Sequence, residues 1–476
     1  MNSYIPTIGI EVHVELKTNT KIFSNSKNGY GMGANTLTNV IDLGYPGTLP
    51  TINSAVIDKA IKAAKVLNCK IRRHMHFDRK NYFYPDNPKN YQITQFNTPI
   101  GYDGYVPIII DGKEKRIEIE EMHIEEDTCK SMHRGSVSLL DFNRAGVPLI
   151  EIVTKPCISS AEEAKLYIEK LRETLLYADI SDCKIEEGSM RCDANVSIRK
   201  NEENPFGTKA EIKNIGSISN VKLSIEKEIE RQAKLYDNGE TFLPQTRRFD
   251  SKLNDTVLMR VKETGNDYRY FPEPDIPYIN LTEEHINEVI SEIPMMPDER
   301  RKVYLEKGIS EINSNKIINH REISDYLNKF IDTDLDFIIA SNLLLGDIQS
   351  YLNKNNKHLS DTKLSDDKFM SLVSKIKNGE LTSKNVKDII DDILDKDISC
   401  EEIIKEKGIS NINNDDEVLD IINKVIDENN ESVEDYKNGH DRAIKYLMGQ
   451  VMKISCGKVN PGLAMKLLQE ELSKLK

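Results

Sequence analysis

No Cys-x-x-Cys pair occurs in the 476 residues, and the seven cysteines, at 69, 129, 157, 183, 192, 400 and 456, are odd in number. That pattern fits neither a zinc ribbon nor a disulfide framework, and reduced cytoplasmic thiols are the simplest reading. No run approaches the roughly 20 apolar residues of a membrane helix. The first residues, MNSYIPTIG, lack a charged stretch followed by an apolar one, so a soluble protein that is not exported is expected. A Walker-type phosphate loop is absent, and Gly29-Tyr30-Gly31-Met32-Gly33 has the wrong spacing for a dinucleotide fingerprint. Positive charge is scarce: 65 Lys and Arg face 78 Asp and Glu, a net charge of −13, which argues against a protein that wraps nucleic acid over its whole surface. Only the end of the chain is basic. Residues 437–476 hold eight Lys/Arg against three acids, after a stretch from 411 to 435 with nine acids and the single Lys424.

What is present is a set of alternating strands with one chemically loaded face. In Thr7 to Leu16, Ile8, Ile10, Val12, Val14 and Leu16 point one way while Glu11, His13 and Glu15 point the other, because side chains alternate across a strand. Two carboxylates and an imidazole on a strand backed by core make an oxygen-rich platform suited to hard divalent cations. A half-solvated antiparallel strand with Glu on its wet side is the plainer alternative. The pattern recurs, however. Asp193, Asn195, Ser197 and Arg199 share a face opposite Ala194, Val196 and Ile198; Lys209 to Lys213 alternates likewise; and Glu151 stands alone in the apolar run Pro148 to Val153, where an unpaired carboxylate is costly.

Along the chain, residues 24–50 read as an irregular loop rich in Gly, Asn and Ser, and a helix is expected from Asn53 to Leu67. Phe77 to Gln92 mixes cations with tyrosines, which fits either a sheet edge or the lining of an anionic, planar substrate such as a nucleotide. Short strands follow over 99–120 with a turn at Asp111-Gly112. Helices are expected from Ser160 to about Tyr177 and from about Ser219 to Tyr236, and a last strand at Asp267 to Phe271. From Glu283 the pattern is helical. Three domains are expected: 1–292, 293–410 and 411–476, with the acidic run a mobile, self-repelling connector to the final helices, Asp441 to Lys453 and Pro461 to Lys474.

Several long motifs, in this order, resemble one family. They are Ile8 to Leu16 (IGIEVHVEL), Phe77 to Asp86 (FDRKNYFYPD), His123 to Asp127 (HIEED), Asp141 to Glu151 (DFNRAGVPLIE), Glu187 to Asp193 (EGSMRCD), Asp267 to Asp275 (DYRYFPEPD) and, in the tail, Gly449 to Lys453 (GQVMK). The chain resembles the B-subunit of the aspartyl/glutamyl-tRNA amidotransferase, the GatB family, over its whole length. The resemblance implies an α+β cradle similar to the glutamine synthetase catalytic core, an all-α helical domain and a small helical tRNA-binding tail. It implies a carbon–nitrogen ligase with glutamine as amide donor, working as a heterotrimer with a glutaminase A-subunit and a small C-subunit. Such an enzyme uses ATP to make an acyl phosphate on misacylated Glu-tRNA(Gln) or Asp-tRNA(Asn), then amidates it with ammonia channelled from the glutaminase.

Carried over residue by residue, Glu11, His13, Glu126 and Glu151 match the family's metal positions, with Glu125 and Glu15 as second choices, and this hard ligand set suits Mg²⁺ or Mn²⁺. Lys80, Arg144 and Lys209 are the expected phosphate cations. Asp193 is the expected proton acceptor at the mouth of the ammonia path, unless it and Lys209 form a structural ion pair across strands. Many relatives bind zinc through two cysteine pairs in the loop after the first strand; here that loop reads Ser24-Asn25-Ser26 and Asn39 to Leu43, so no zinc is expected. Two other readings share parts of this pattern: a stand-alone ATP-dependent carboxylate–amine ligase, and a non-catalytic tRNA-binding scaffold.

Overall fold

The computed structural model describes residues 4–261, 267–409, 415–437, 440, 442–455, 459 and 461–475. The chain forms two compact units, one ending at Met296 and one beginning at Pro297. The first contains, in order, β1 (Ile5–Glu15), α1 (Ser54–Val66), β2 (Lys70–Ile71), β3 (His74–Met75), β4 (Asp78–Asn81), β5 (Tyr91–Thr94), β6 (Gly101–Ile110), β7 (Lys113–Glu126), β8 (Lys130–Arg134), β9 (Val137–Asp141), β10 (Pro148–Thr154), α2 (Ala161–Tyr177), β11 (Met190–Arg199), β12 (Ala210–Lys213), α3 (Ile218–Asp237), β13 (Gln245–Asp250), β14 (Asp255–Val261), β15 (Phe271–Pro272), β16 (Ile279–Asn280) and α4 (Glu283–Ser291).

Among the described residues, nine strands make one sheet in the order β14-β13-β12-β11-β1-β10-β7-β6-β2. Only the β12–β13 pairing is parallel in it. Strand β1 lies at its centre, and Ile8, Ile10, Val12, Val14 and Leu16 are all at most 1% exposed. Each such burial contributes about 1.5–3 kcal/mol, and a slip of one residue would turn all five to the opposite face. The register that brings the polar side chains together is therefore fixed by the apolar ones.

Helices α1, α2 and α3 cover the apolar face, placing Ala60, Ile61, Tyr167, Ile168, Leu171, Val221 and Ile225 in the same core as the strand residues. Local signals set their ends. Asn53 accepts from the Ala55 amide and Ser160 from the Glu163 amide, each satisfying a first-turn donor that the helix cannot. At the end of α1 the chain packs tightly on β6: a Cβ on Gly104 would lie 2.3 Å from Cys69 Sγ and 2.8 Å from Leu67 O. Gly101 and Gly104 thus belong to one ten-residue strand, and β6 and β7 are longer than the short strands expected. Asp111 and Gly112, both with positive φ, make the turn between them.

The expected strand at Asp267 to Phe271 is reduced to Phe271–Pro272, which pairs with Arg79 and Asp78 at the edge of a small sheet. Arg269 has φ +50°, so the segment before it cannot continue a regular ladder.

The second unit is helical: α5 (Pro297–Glu306), α6 (Glu311–Asn319), α7 (Arg321–Asn328), α8 (Phe337–Leu343), α9 (Gln349–Asn355), α10 (Asp366–Lys377), α11 (Ser383–Asp395), α12 (Cys400–Glu406), α13 (Asp415–Glu428), α14 (Asn430–Lys437), α15 (Arg442–Ile454) and α16 (Pro461–Lys474). The expected boundary at 410 falls on residues 410–414, outside the described residues. The acidic run after it is not a connector where it is described. Val418, Ile422, Val425 and Ile426 recur at helical spacing and share a core with Leu447, Val451, Leu468 and Leu472, while the acids occupy the rest of the helix surface. No helix among the described residues is long and apolar enough to cross a membrane.

Candidate functional site

The polar face of the large sheet collects side chains from five adjacent strands. Across β7, β10, β1 and β11, His123 pairs with Glu151, Glu151 with His13, and His13 with Arg191. One pleat along, Glu11 pairs with Asp193, and at the next position Asn195 faces Glu211 of β12. Antiparallel register alone therefore gathers residues that lie up to 200 positions apart in sequence.

Two donor clusters result. In the first, His13 Nε2 lies 3.5 Å from Glu125 Oε1 and 3.4 Å from Glu151 Oε2, and His123 Nε2 reaches Glu151 Oε2 at 3.0 Å. In the second, Asn195 Nδ2 donates to Glu11 Oε1 at 2.7 Å, and Lys213 Nζ bridges Asp193 (2.8 Å) and Glu211 (3.1 Å). Within each of the triplets His13–Glu125–Glu151 and Glu11–Asp193–Glu211, one donor atom per residue lies within 4.8 Å of the others. A cavity of about 580 Å³ opens onto them, lined by His13, Lys80, Tyr82, Glu125, Asp193 and Lys213 among others.

Charge on this face is unevenly balanced. Burial disfavours ionised Glu151, yet hydrogen bonds from His123 and His13 hold its carboxyl well below the usual carboxylate range. Burial likewise disfavours the imidazolium of His13, but Glu151 and then Glu125 lift it to about 9. Glu125 has no such rescue: burial and the facing Glu151 push its carboxyl up against the pull of His13, His123 and Lys80. Burial and Glu151 also raise Glu11, only partly offset by Asn195. Burial and the neighbouring Glu151 thus disfavour the ionised forms of Glu125 and Glu11, and a cation bound between them would favour those forms. Hard, closely spaced oxygen donors with one imidazole fit Mg²⁺ or Mn²⁺.

The expected site residues do not all converge. Glu11, His13, Glu151 and Asp193 do. Glu126 does not: it follows Glu125 on β7 and so points to the opposite side, where its carboxylate accepts from Lys89 Nζ and from the Ile93 amide at 2.9 Å. Glu125, the second choice, occupies the cluster instead. Asp193 pairs with Lys213, not Lys209, which is exposed and precedes β12. Lys80 lines the cavity. Arg144 does not line it but stands behind its wall, donating to Thr128 O and Cys129 O at 3.0 Å and facing Asp127. Glu15 borders a separate cavity of about 590 Å³ with Arg144; burial and Asp127 push its carboxyl up to about 7. Sequence reasoning did not single out Lys213, Glu211, Arg191 or His123 as site residues. Glu211 and Lys213 carried a signal, since they share one face of an alternating strand, but the pairing that brings them to Asp193 is set by tertiary register.

In the loop after β1, the positions without cysteine form a closed polar cluster. Asp42 accepts from Ser24 Oγ (2.6 Å), Ser26 Oγ (2.5 Å), the Asn39 amide (3.0 Å) and Lys21 Nζ (3.2 Å).

The structure is a mixed α+β protein with a large antiparallel-rich sheet, polar side chains clustered on one of its faces, followed by a helical C-terminal region. The chain belongs to the GatB/GatE family. The profile of the GatB/GatE catalytic domain matches residues 6–287 and that of the GatB domain residues 325–472. The B-subunit of the aspartyl/glutamyl-tRNA(Asn/Gln) amidotransferase of Lysinibacillus sphaericus is 47% identical over 468 residues, 98% of each chain. The proteins of the same name from Geobacillus thermodenitrificans and Enterococcus faecalis are 47% and 45% identical over 469 residues, again 98% of each chain.

Proposed function

We propose that this chain is the amidating subunit of a tRNA-dependent amidotransferase, converting misacylated Glu-tRNA(Gln), Asp-tRNA(Asn) or both to the amide by way of an acyl phosphate. The observation that carries the reading is the pair of carboxylate clusters facing one cavity with Lys80 and Lys213 at its walls. A side-chain carboxylate is a poor acyl donor, because its leaving group would be oxide. Transfer of the γ-phosphoryl group of ATP to it creates a leaving group, with ADP released. Ammonia then attacks the acyl carbon, phosphate departs and the nitrogen loses a proton.

His13, Glu125 and Glu151, with Glu11, Asp193 and Glu211 beside them, are the residues that would hold Mg²⁺ or Mn²⁺. Bound there, the cation supplies charge neutralisation at the transferring phosphoryl oxygens. Around it the protein's own groups have distinct tasks. Lys80, kept protonated despite burial by Glu125 and other nearby groups, attracts the phosphates. Asn195 orients the Glu11 carboxylate. His123 fixes Glu151 from behind. Asp193, held by Lys213, is the candidate acceptor of the proton that ammonia sheds.

The full-length likeness to amidotransferase B-subunits supports a complex with other subunits, read here as a glutaminase A-subunit that supplies ammonia and a small C-subunit, in the cytoplasm. The cradle is read as related to the glutamine synthetase core. The alternative of a stand-alone ligase leaves the helical region and its basic end without a use, and a bare scaffold leaves the two carboxylate clusters without one. The test is amide formation by the reassembled complex on misacylated tRNA with ATP, using ammonium in place of glutamine. ATP-dependent product supports the reading; amidation of free glutamate or aspartate with no requirement for tRNA would replace it with the stand-alone ligase.

A further inference from the structure

Of the carboxylates in the two clusters, Glu11 is held by Asn195, Glu151 by His123 and Asp193 by Lys213. Glu211 has a partner that the chemistry above leaves unused. Thr246 Oγ1, on the outer strand β13, donates to Glu211 Oε2 at 3.0 Å, and the two residues are 2% and 7% exposed. Lys213 Nζ stands 3.1 Å from the other oxygen, Oε1. The carboxylate is therefore gripped at both oxygens, by a neutral donor on one side and a cation on the other.

The contact follows from the sheet. Strands β12 and β13 run parallel, with Glu211 opposite Thr246 and Ile212 opposite Arg247. Side chains alternate, so Thr246 shares the face of Glu211 and Arg247 points to the side covered by α3. A parallel pair is slightly less stable per residue than an antiparallel one, and here the helix side secures it. Arg247 donates from Nε to Thr256 Oγ1 (2.9 Å) and from Nη2 to Thr256 O (2.7 Å), both on β14. Thr256 Oγ1 donates in turn to Glu228 Oε2 at 3.1 Å, on α3, and Arg247 Nε faces the same oxygen at 3.4 Å. Glu228 is fully buried. With β13 anchored from behind, Thr246 is presented at a fixed height, and its branched Cβ leaves the hydroxyl few rotamers.

We infer that Thr246 is a positioning residue for Glu211, setting its carboxylate so that Glu11, Asp193 and Glu211 converge on one cation. The inference deepens the proposed function and rests on its reading of that cluster as a cation seat. A glutamate free to turn loses that freedom when it binds an ion, and holding it in the binding arrangement beforehand removes the cost. A carboxylate oxygen has two lone pairs, so the Thr246 hydrogen bond leaves one on Oε2 for a ligand. A hydroxyl also brings no positive charge, unlike a second lysine, which would compete with the ion it helps to seat. Within the triplet the donor atoms already lie within 4.8 Å of one another.

The experiment is a Mn²⁺ titration of the full-length chain followed by paramagnetic resonance, with the melting temperature recorded for each variant. Glu211→Gln should weaken Mn²⁺ binding and marks what loss of the ligand costs. Thr246→Val, which keeps the shape and removes the hydroxyl, should weaken it on the order of 10- to 100-fold, the usual effect of removing a group that orients a metal ligand. Thr246→Ser, which restores the hydroxyl, should recover most of the affinity. If Glu211→Gln weakens binding and Thr246→Val lowers only the melting temperature, Thr246 is a structural residue and the inference is overturned with the proposed function standing. Equal losses in the Val and Ser variants overturn it as well, because the methyl group and not the hydroxyl would then matter. Unchanged Mn²⁺ binding in Glu211→Gln overturns the inference together with the assignment of Glu211 as a ligand, and wild type that binds no Mn²⁺ overturns the reading of both clusters as cation seats.

Discussion

Glu125 and Glu126 are consecutive, yet their carboxylates lie on opposite sides of the sheet. Glu125 faces His13 at 3.5 Å on the cavity side, and Glu126 is tied to Lys89 and the Ile93 amide on the other. Substitution should separate the two roles. Glu125→Gln is expected to weaken Mn²⁺ binding, read by paramagnetic resonance titration, at least tenfold with little change in melting temperature. Glu126→Gln should leave Mn²⁺ affinity near wild type and cost about 1.5–3 kcal/mol of stability, the usual worth of a hydrogen bond to a charged group. Equal Mn²⁺ affinities for both variants would contradict the assignment.

Lys21 and Asp42 form an ion pair with side chains 0% and 2% exposed. Removing one partner leaves an uncompensated buried charge, so Asp42→Ala should destabilise the first unit by about 3–5 kcal/mol, measured by denaturant unfolding. A variant as stable as wild type would show that the cluster does not hold the loop.

The same loop should need no metal. Ser24, Ser26 and Asn39 offer hydroxyls and a backbone amide to Asp42, and none is a thiolate ligand. Elemental analysis of chelator-washed protein should find no stoichiometric zinc; zinc at one equivalent would mean that ligands elsewhere bind it.

Helices α13 to α16 share a core of their own, and residues 437–476 are net positive by five charges. Deleting the chain from about 411 should raise the apparent KM for aminoacyl-tRNA and flatten its salt dependence, because phosphate contacts are lost, with ATP affinity unchanged. Unaltered tRNA affinity and salt slope in the truncated complex would place tRNA recognition elsewhere.

Much of this was legible in the sequence because strand alternation is a local signal. The buried faces of β1 and β11, the capped starts of α1 and α2, and the loaded faces bearing Glu11, His13, Asp193 and Glu151 follow from residue order alone. What was not legible depends on pairing. Lys213 rather than Lys209 meets Asp193 because β12 begins at Ala210 and pairs Asn195 with Glu211. Glu125 rather than Glu126 enters the cluster because β7 is irregular against β10, the register shifting where Thr154 pairs with Ile119 and Val153 with Glu121; beyond that point Met122 and Ile124 face the core and odd-numbered residues the cavity. The helix in the acidic stretch is hidden in the sequence because charge density there masks the apolar stripe Val418, Ile422 and Val425.

The central claim is that the polar face of β1 carries the amidation chemistry, and His13 is the residue through which the first cluster is joined. In the reassembled complex, transfer of the γ-phosphoryl group of labelled ATP to misacylated tRNA should be abolished by His13→Ala, while glutamine hydrolysis by the partner glutaminase remains measurable. Phosphoryl transfer and amide formation at wild-type rates by that variant would remove the strand from the mechanism.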